Sequence, residues 1–454
     1  MKTRSKLGYG LGDVGAGTLW GMVGFVMIYM TDAVGVSAAA LGTMMLCARV
    51  FDGVSDALMG TVIDNTHTKW GKARPWLFGS IAPLVITFIM LFNVPGNLSK
   101  NGKATYFFIL YFIVTAVFYT INNVSYNALP ALVTDSTKDR VSMSIYRYVL
   151  SLTTGVALSV VLVPVINSMG GLSNQAAWTK VTIVCALIAV TMLTVSGLSV
   201  KELVTVKKTD KETGKKKEKG VPFYKAFGYT FSNKYFLLQL AMTIFTLTRL
   251  GLTGAGVYYA KCNLGNPDLV GLLGIMSYLP MILGMAPAPF LFGKIGMKRT
   301  RDIGNAVGLA GALLAAIFAD NLVLMLIGLG LTALGAGPNT ASGSAILAHV
   351  ADYSEWKHHV KLTGTTFSCI GVATKIATGL GAALIGWGLA WGGYNAAADV
   401  QTPDTLFAIK AVFLYIPVLL SVLNLVCNLF LDVEKKMPKI KEELAARNEL
   451  KGEL

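Results

Sequence analysis

Apolar runs of about 20 residues recur along the chain, separated by short polar turns, and each is long enough to cross a bilayer as an α-helix. They predict spans over 9–31, 38–63, 76–94, 105–130, 142–167, 178–199, 235–259, 268–293, 302–319, 322–348, 365–391 and 406–431. Helices are the default, because lipid offers no partner to an open strand edge. The longest polar interruption, KELVTVKKTDKETGKKKEKG at 201–220, divides the spans six and six. The expected fold class is therefore an all-α polytopic membrane protein of twelve transmembrane helices in two pseudo-symmetric six-helix bundles. Its parts are an N-terminal bundle (1–199), a lysine-rich cytoplasmic linker (200–234), a C-terminal bundle (235–431) and a charged cytoplasmic tail (432–454).

The halves echo each other. DNTHTKWGKARP (64–75) follows span two and FGKIGMKRTR (292–301) follows span eight, with Gly71 and Gly296 about half the chain apart. Paired repeats of this kind build many secondary transporters. The competing reading is that any short cytoplasmic turn is basic and carries glycine.

Composition sharpens this picture. Only 14% of the 454 residues are charged and 54% are hydrophobic, against roughly 25% charged in soluble domains. The net charge of +15 is explained by sidedness. With the N-terminus inside, 30 of the 39 lysines and arginines fall in inside segments, three (Lys100, Lys103, Lys261) fall outside, and six lie within spans. That bias puts both termini in the cytoplasm of an inner (cytoplasmic) membrane, and makes a nucleic-acid partner unnecessary. MKTRSKLGYG opens a retained first span, since no cleavage site follows its apolar part. Five scattered cysteines without a CxxC pair suggest neither disulfides nor zinc. No GxxxxGK[ST], HExxH or GxSxG stands in the chain, so neither ATP use nor hydrolytic chemistry is indicated, and no cofactor is expected.

Candidate chemistry lies in the charged residues that the apolar runs contain. In RVFDGVSDALMG (49–60), Arg49, Asp52, Asp56 and Gly60 fall near one line on a helix face. Each ionised group at mid-bilayer costs at least about 2.5–3.5 kcal/mol, so a stripe of three is a functional candidate. Two carboxylates against one guanidinium leave one negative charge, suited to H⁺ or to Na⁺ held by oxygens. Ser55, and Thr120 in YTINN, offer hydroxyls. The bland alternative is an Arg–Asp clasp between helices.

Asp13 in GLGDVGAG reads as a ligand or a helix-packing group. Asn122, Asn123 and Asn127 offer the amides that sugar hydroxyls need, or inter-helix hydrogen bonds. Arg147, opening span five, binds substrate or snorkels. Lys375, amid small residues in span eleven, has few bland roles. Trp20, Trp387 and Trp391 are stacking candidates, although Trp391 reads better as an interfacial anchor. LAHVADYSEWKHHVK, with His349, His358 and His359, reads as a gating loop.

These stretches resemble a known group. LGYGLGD, YMTDAVGV, RVFDGVSDALMG with WGKARPW, YTINN and ADYSEWK look, in order and over nearly the whole chain, like the glycoside–pentoside–hexuronide:cation symporter family of the major facilitator superfamily. The resemblance implies the major facilitator fold, with a cation at Asp52 and Asp56 beside Thr120. It also implies a sugar at Arg147, Lys375 linking the two sites, and an inner gate in which Asp352 and Glu355 meet Arg140. Melibiose permease, a member, grips galactose with a Lys–Asp pair where this chain has Ala16–Gly17. Its span-four acid and tryptophan become Asn123 and Asn127, and a span-ten tryptophan becomes Thr340. A galactoside pocket is thus not reproduced, and an anionic sugar such as a hexuronide gains ground.

The resulting expectation is a monomeric importer of a sugar coupled to Na⁺ or H⁺ by alternating access. The substrate side comprises Asp13, Trp20, Asn123, Asn127, Arg147, Thr340 and Lys375. A proton-coupled exporter or lipid-type carrier of the same fold is the alternative. A membrane enzyme or a non-transporting sensor is the reading from other classes.

Overall fold

The computed structural model describes residues 1–203, 223–360, 362–398 and 400–452. Among them regular structure is helical apart from one isolated bridge, Thr68 to Gly71. In chain order the long helices are α1 (Thr3–Gly24, continued at a 43° bend by Val26–Ala33), α2 (Ala38–Asp64), α3 (Arg74–Leu91) and α4 (Lys100–Val133). They continue with α5 (Thr137–Ser168), α6 (Gln175–Ser199), α7 (Lys234–Asn263) and α8 (Pro267–Met285, then Ala288–Ile295). The last four are α9 (Met297–Ile317), α10 (Leu322–His358), α11 (Thr363–Trp391) and α12 (403–430). Ten helices meet the length and apolarity of a span, or eleven with the bent first pair counted once. The remaining long helix, α9, falls just short because Arg301, Asp302 and Asn305 lower its hydropathy.

The helices begin where side chains can take up orphan backbone N–H groups. Ser99, Ser136, Asn174, Asn321 and Thr402 each accept a hydrogen bond from the first turn that follows. These polar turns lengthen α4 and α5 beyond their apolar runs. α10 also outruns expectation. LAHVADYSEWK is not a loop but three further turns of α10, ending at His359 in the left-handed region (φ 57). Val350, Ala351 and Ser354 on it are buried, and Asn233 Nδ2 donates to Val350 O (3.0 Å) and Ser354 Oγ (2.7 Å). Asp352 and Glu355 therefore stand on a helix.

The chain divides into two compact units. The first comprises Met1–Val206, Gly251–Ile275 and Thr378–Phe413; the second comprises Lys207–Leu250, Met276–Ala377 and Leu414–Leu454. Within the first, α1 packs on α6 through small residues, where a β-carbon at Gly15 would sit 3.0 Å from Ala189 O. α2 and α11 touch backbone to backbone, since a β-carbon at Gly386 would lie 2.3 Å from Ala38 O. Within the second, α9 and α10 approach in the same way at Gly304 and Gly335.

The repeat expected from Gly71 and Gly296 extends to the caps around them. Both glycines have positive φ (+111° and +86°). In the first unit, buried Glu202 accepts from the backbone N–H of Lys72 (2.6 Å), Ala73 (3.0 Å) and Arg74 (2.7 Å) at the start of α3. In the second, Glu434 accepts from Met297 (2.9 Å) and Lys298 (2.6 Å) at the start of α9. A carboxylate at a helix N-terminus satisfies orphan donors and complements the dipole. α1 and α7 also finish alike, each in a π turn (Tyr29–Ala33 and Tyr259–Asn263) closed by a left-handed glycine, Gly35 or Gly265.

Of the expected linker, 204–222 lies outside the described residues, while Phe223–Phe231 forms a short helix. The charged tail forms the helix Val433–Gly452. Val433, Met437 and Ile440, one stripe on it, are buried in a cluster with Tyr235, Phe236 and Val350.

Candidate functional site

The stripe on α2 lies inside the first unit. Arg49 and Asp52 are 5% and 1% exposed, so neither charge is left to water or lipid. Arg49 Nη1 donates to Asp52 Oδ2 at 3.1 Å, as their i,i+3 spacing allows, and its Nη2 donates to the Tyr111 hydroxyl at 3.2 Å. The guanidinium also lies 4.2 Å from the centre of the Trp20 ring. Gly379 makes room for it, since a β-carbon there would meet Arg49 Cβ at 2.7 Å.

The second carboxylate oxygen is engaged too. Thr120 Oγ1 donates to Asp52 Oδ1 at 2.8 Å, and Ser55 Oγ lies 3.5 Å from the Thr120 hydroxyl. Thr120 follows a π segment of α4, Ile113–Tyr119, and this widened turn precedes the hydroxyl that meets α2. Asp56, one turn further along α2, is half-buried and so the more open of the two acids. The expected cation residues, Asp52, Ser55, Asp56 and Thr120, are thus neighbours, with hard oxygen donors throughout. Among the described residues no group of three or more His, Cys, Asp or Glu side chains forms a metal cluster.

A second polar chain ties α1, α4 and α5 together in the same unit. Arg147 Nε donates to Asp13 Oδ2 at 2.6 Å, Arg147 Nη1 donates to Asn127 Oδ1, and Asn127 Nδ2 donates to Asn123 Oδ1 at 2.7 Å. Arg147 therefore does not snorkel, and its guanidinium lies 5.0 Å from the centre of the Tyr126 ring. Asp13 is 8% exposed, whereas Asn127 is exposed. The assembly is a part-buried ion pair with amides at its open end, a surface that can donate to and accept from hydroxyls and carboxylates. Trp20 joins the two polar groups, stacking at a tilt 4.8 Å from Tyr119 while it faces Arg49. Asn122 turns away to Ser80 Oγ (3.0 Å) and Leu77 O, so its role is inter-helix bonding.

The remaining expected residues lie elsewhere. Thr340 and Lys375 belong to the second unit, where Thr340 is exposed and Lys375 half-buried. Thr340 Oγ1 donates back to Ala336 O on its own helix at 3.1 Å. Arg140 turns onto its own loop, donating to Thr134 O (2.8 Å) and Ala131 O (3.2 Å) beside Asp135. Asp352 and Glu355 ride on the last turns of α10. Trp387 Nε1 donates to Thr43 Oγ1 at 3.0 Å, which ties α11 to α2.

One cluster was not anticipated. At the far ends of α1 and α7, Lys261 Nζ meets Asp32 Oδ2 at 2.6 Å, and the Tyr394 hydroxyl donates to both Asp32 oxygens at 3.0 Å. Thr31 Oγ1 donates to Asp32 Oδ1 at 2.7 Å and lies 2.9 Å from the Tyr258 hydroxyl. Burial, with the Asp32 carboxylate beside it, pushes the Tyr394 phenol well above its ordinary range, so it remains a donor. Asn167 Nδ2 adds a bond to Asp268 Oδ1 at 2.6 Å. Asp32 stood in YMTDAVGV and Lys261 among the rare outside cations, but nothing in their spacing joined them.

Long apolar helices in repeated halves, with ionised groups held inside the first bundle and a charged tie at one end, define a secondary membrane transporter. The chain belongs to the MFS/sugar transport protein family, whose match covers residues 8–435; it is a transporter and not an enzyme. A putative glycoside/cation symporter of Escherichia coli (strain K12) is 28% identical over 458 residues, covering 100% of this chain and 97% of the relative. A glucuronide carrier protein homolog of the same organism is 26% identical over 460 residues, covering 100% and 98%. Among solved structures, one of proton dependent oligopeptide transporters superimposes with a TM-score of 0.66 at 15% identity, covering 97% of this chain and 100% of that one.

Proposed function

We propose that the protein is a cation-coupled symporter that imports a glycoside, pentoside or hexuronide through an inner membrane, with both termini in the cytoplasm. The observation that carries this reading is the grouping of buried Arg49, Asp52 and Thr120, with half-buried Asp56 one turn further along α2. One carboxylate is balanced by the guanidinium. Na⁺ or H⁺ is taken up beside the two carboxylates, with Ser55 and Thr120 as further oxygens. The names of relatives, a glycoside/cation symporter and a glucuronide carrier homolog, support the same class.

On the sugar side, Asp13, Arg147, Asn127 and Asn123 form one network that presents amides and a guanidinium edge, with Trp20 as the ring wall between it and the cation residues. Lys375 and Thr340 are kept as substrate-side candidates of the second unit, taken by itself. An anionic sugar is favoured, because Arg147 recognises a carboxylate through its fork and no acid replaces the galactose-gripping residues. Alternating access needs a gate at each end. The Asp32–Lys261–Tyr394 tie is the candidate for the outer one, and Arg140, Asp352 and Glu355 are the candidates for the inner one. The coupling is reciprocal, so sugar tightens cation binding by the factor by which cation tightens sugar. The monomer suffices for this cycle.

The test is uptake of labelled glycosides, pentosides and uronides into proteoliposomes under imposed Na⁺ or pH gradients. Uphill accumulation of one class with one cation is expected. Binding without accumulation under every gradient would overturn the reading.

A further inference from the structure

The second unit contains a polar cavity that the transport reading leaves unused. It has a volume of about 20 Å³, room for one water-sized occupant. α7, α9, α10 and α12 line it, with polar groups from Thr246, Arg249, Asn305, Asn339, Ser421 and Asn424. Gly304, Gly308 and Gly335 on its wall let α9 and α10 come close, since a β-carbon at Gly335 would lie 2.3 Å from Gly304 O.

The chemistry of this cavity is one-sided. Arg249 reaches it from α7 with no ion pair or hydrogen bond among the described residues. Arg301 lies just behind, 3% exposed. Its Nε donates to Asn339 Oδ1 at 3.0 Å, its Nη2 contacts Met242 Sδ at 3.7 Å, and its Nη1 has no partner. Asn339 in turn donates to Asn305 Oδ1 at 2.7 Å, leaving the buried Asn305 Nδ2 unpaired. The nearest acids are engaged elsewhere, Asp302 Oδ1 with Asn428 Nδ2 at 2.6 Å and Glu434 with the α9 cap. Among the unpaired buried atoms on the wall, the Asn424 oxygen is an acceptor. Against it stand two guanidiniums and an amide, all donors. Arg301 is buried and Arg249 half-buried, and a charge inside a membrane bundle is costly unless something balances it.

We infer that this cavity binds a small inorganic anion, of the size of chloride, at Arg249 and the Asn305 amide, with Arg301, bonded to the lining Asn339, as the further positive charge. The anion neutralises the bundle interior, and so acts on the stability of the second unit, not on the sugar directly.

The experiment is thermal unfolding of the full-length protein in nanodiscs, at constant Na⁺, while chloride is exchanged for the bulkier anion gluconate. A ligand that binds only the folded state raises the midpoint with its concentration. A saturable rise of several degrees with chloride is expected in the natural protein. It should be flattened in Arg249→Met and in Asn305→Leu; the latter leaves both guanidiniums in place and guards against misfolding of the arginine variant. Bromide should give an anomalous diffraction peak beside Arg249. A midpoint indifferent to chloride, a dependence unchanged in both variants, or a cavity that holds water in bromide-soaked crystals would each overturn the inference.

Discussion

Thr120 and Asp52 stand 68 positions apart in the chain and 2.8 Å apart in space, the hydroxyl donating to the one carboxylate oxygen that Arg49 leaves open. Asp52 is therefore held from two sides, by a charge and by a dipole, while Asp56 has the more open position on the same face.

That difference separates the roles of the acids. Replacing Asp56 by Cys should abolish cation-driven accumulation, a loss of tenfold or more in the steady-state gradient, while substrate exchange at equal concentrations persists. Parallel measurements of uphill uptake and exchange in vesicles check this, and undiminished uphill uptake would remove Asp56 from the cation site.

Thr120→Ala deletes the hydroxyl that donates to Asp52 Oδ1 and leaves the pair with Arg49 in place. A hydrogen bond to a charged group contributes about 1.5–3 kcal/mol, so the cation concentration for half-maximal uptake should rise at least about tenfold. Thr120→Ser should recover most of it. A titration of uptake against Na⁺ and against pH reads the effect and also identifies the ion.

The Asp32–Lys261 pair makes a prediction about access. The side chain of Asp32 is 1% exposed and that of Lys261 30% exposed. Removing one partner of a buried pair costs about 3–5 kcal/mol, with the lower end expected here because Lys261 is partly solvated. Lys261→Met should loosen the gate. In a background with Cys262 as the sole cysteine, an impermeant maleimide should then label that neighbouring thiol severalfold faster from outside. An unchanged rate would show that the pair does not hold the gate.

Glu202 and Glu434 cap repeat-related helices, so they should fail alike. Substituting either by Ala strips two or three backbone donors of their partner, at about 1–2 kcal/mol. Each change should lower the thermal midpoint by a few degrees, and the double variant should lose the sum, since the caps share no partner. Strong non-additivity would show that they belong to one coupled element.

Local features were legible in the chain, whereas long-range ones were not. Apolar runs located the spans, because length and hydropathy alone decide what crosses lipid. The Arg49–Asp52 contact followed from helical spacing. The Asp13–Arg147 pair did not, because 134 residues separate its members and nothing in either segment names the other. The same holds for Glu202, which read as part of a solvated linker but proved to be a buried cap. α10 was cut short because its last turns are amphipathic, buried on one side only against α7 and the tail helix. Arg301 passed as an ordinary loop cation, since its burial depends on how α9 meets α10.

The matching ends of α1 and α7 have a bearing on the tie between them. Val36 N donates to Met30 O at 2.9 Å, and Asn266 N donates to Ala260 O at 3.0 Å, the same closure at a constant offset of 230 residues. In that register Asp32 corresponds to Cys262 and Lys261 to Thr31, so each charge stands one place from the counterpart of its partner. Two copies of one scaffold are thus fastened by opposite signs, and the scaffold itself is indifferent to which copy bears which. Exchanging the charges, with Lys at 32 and Asp at 261, should leave a fastener that either single reversal destroys.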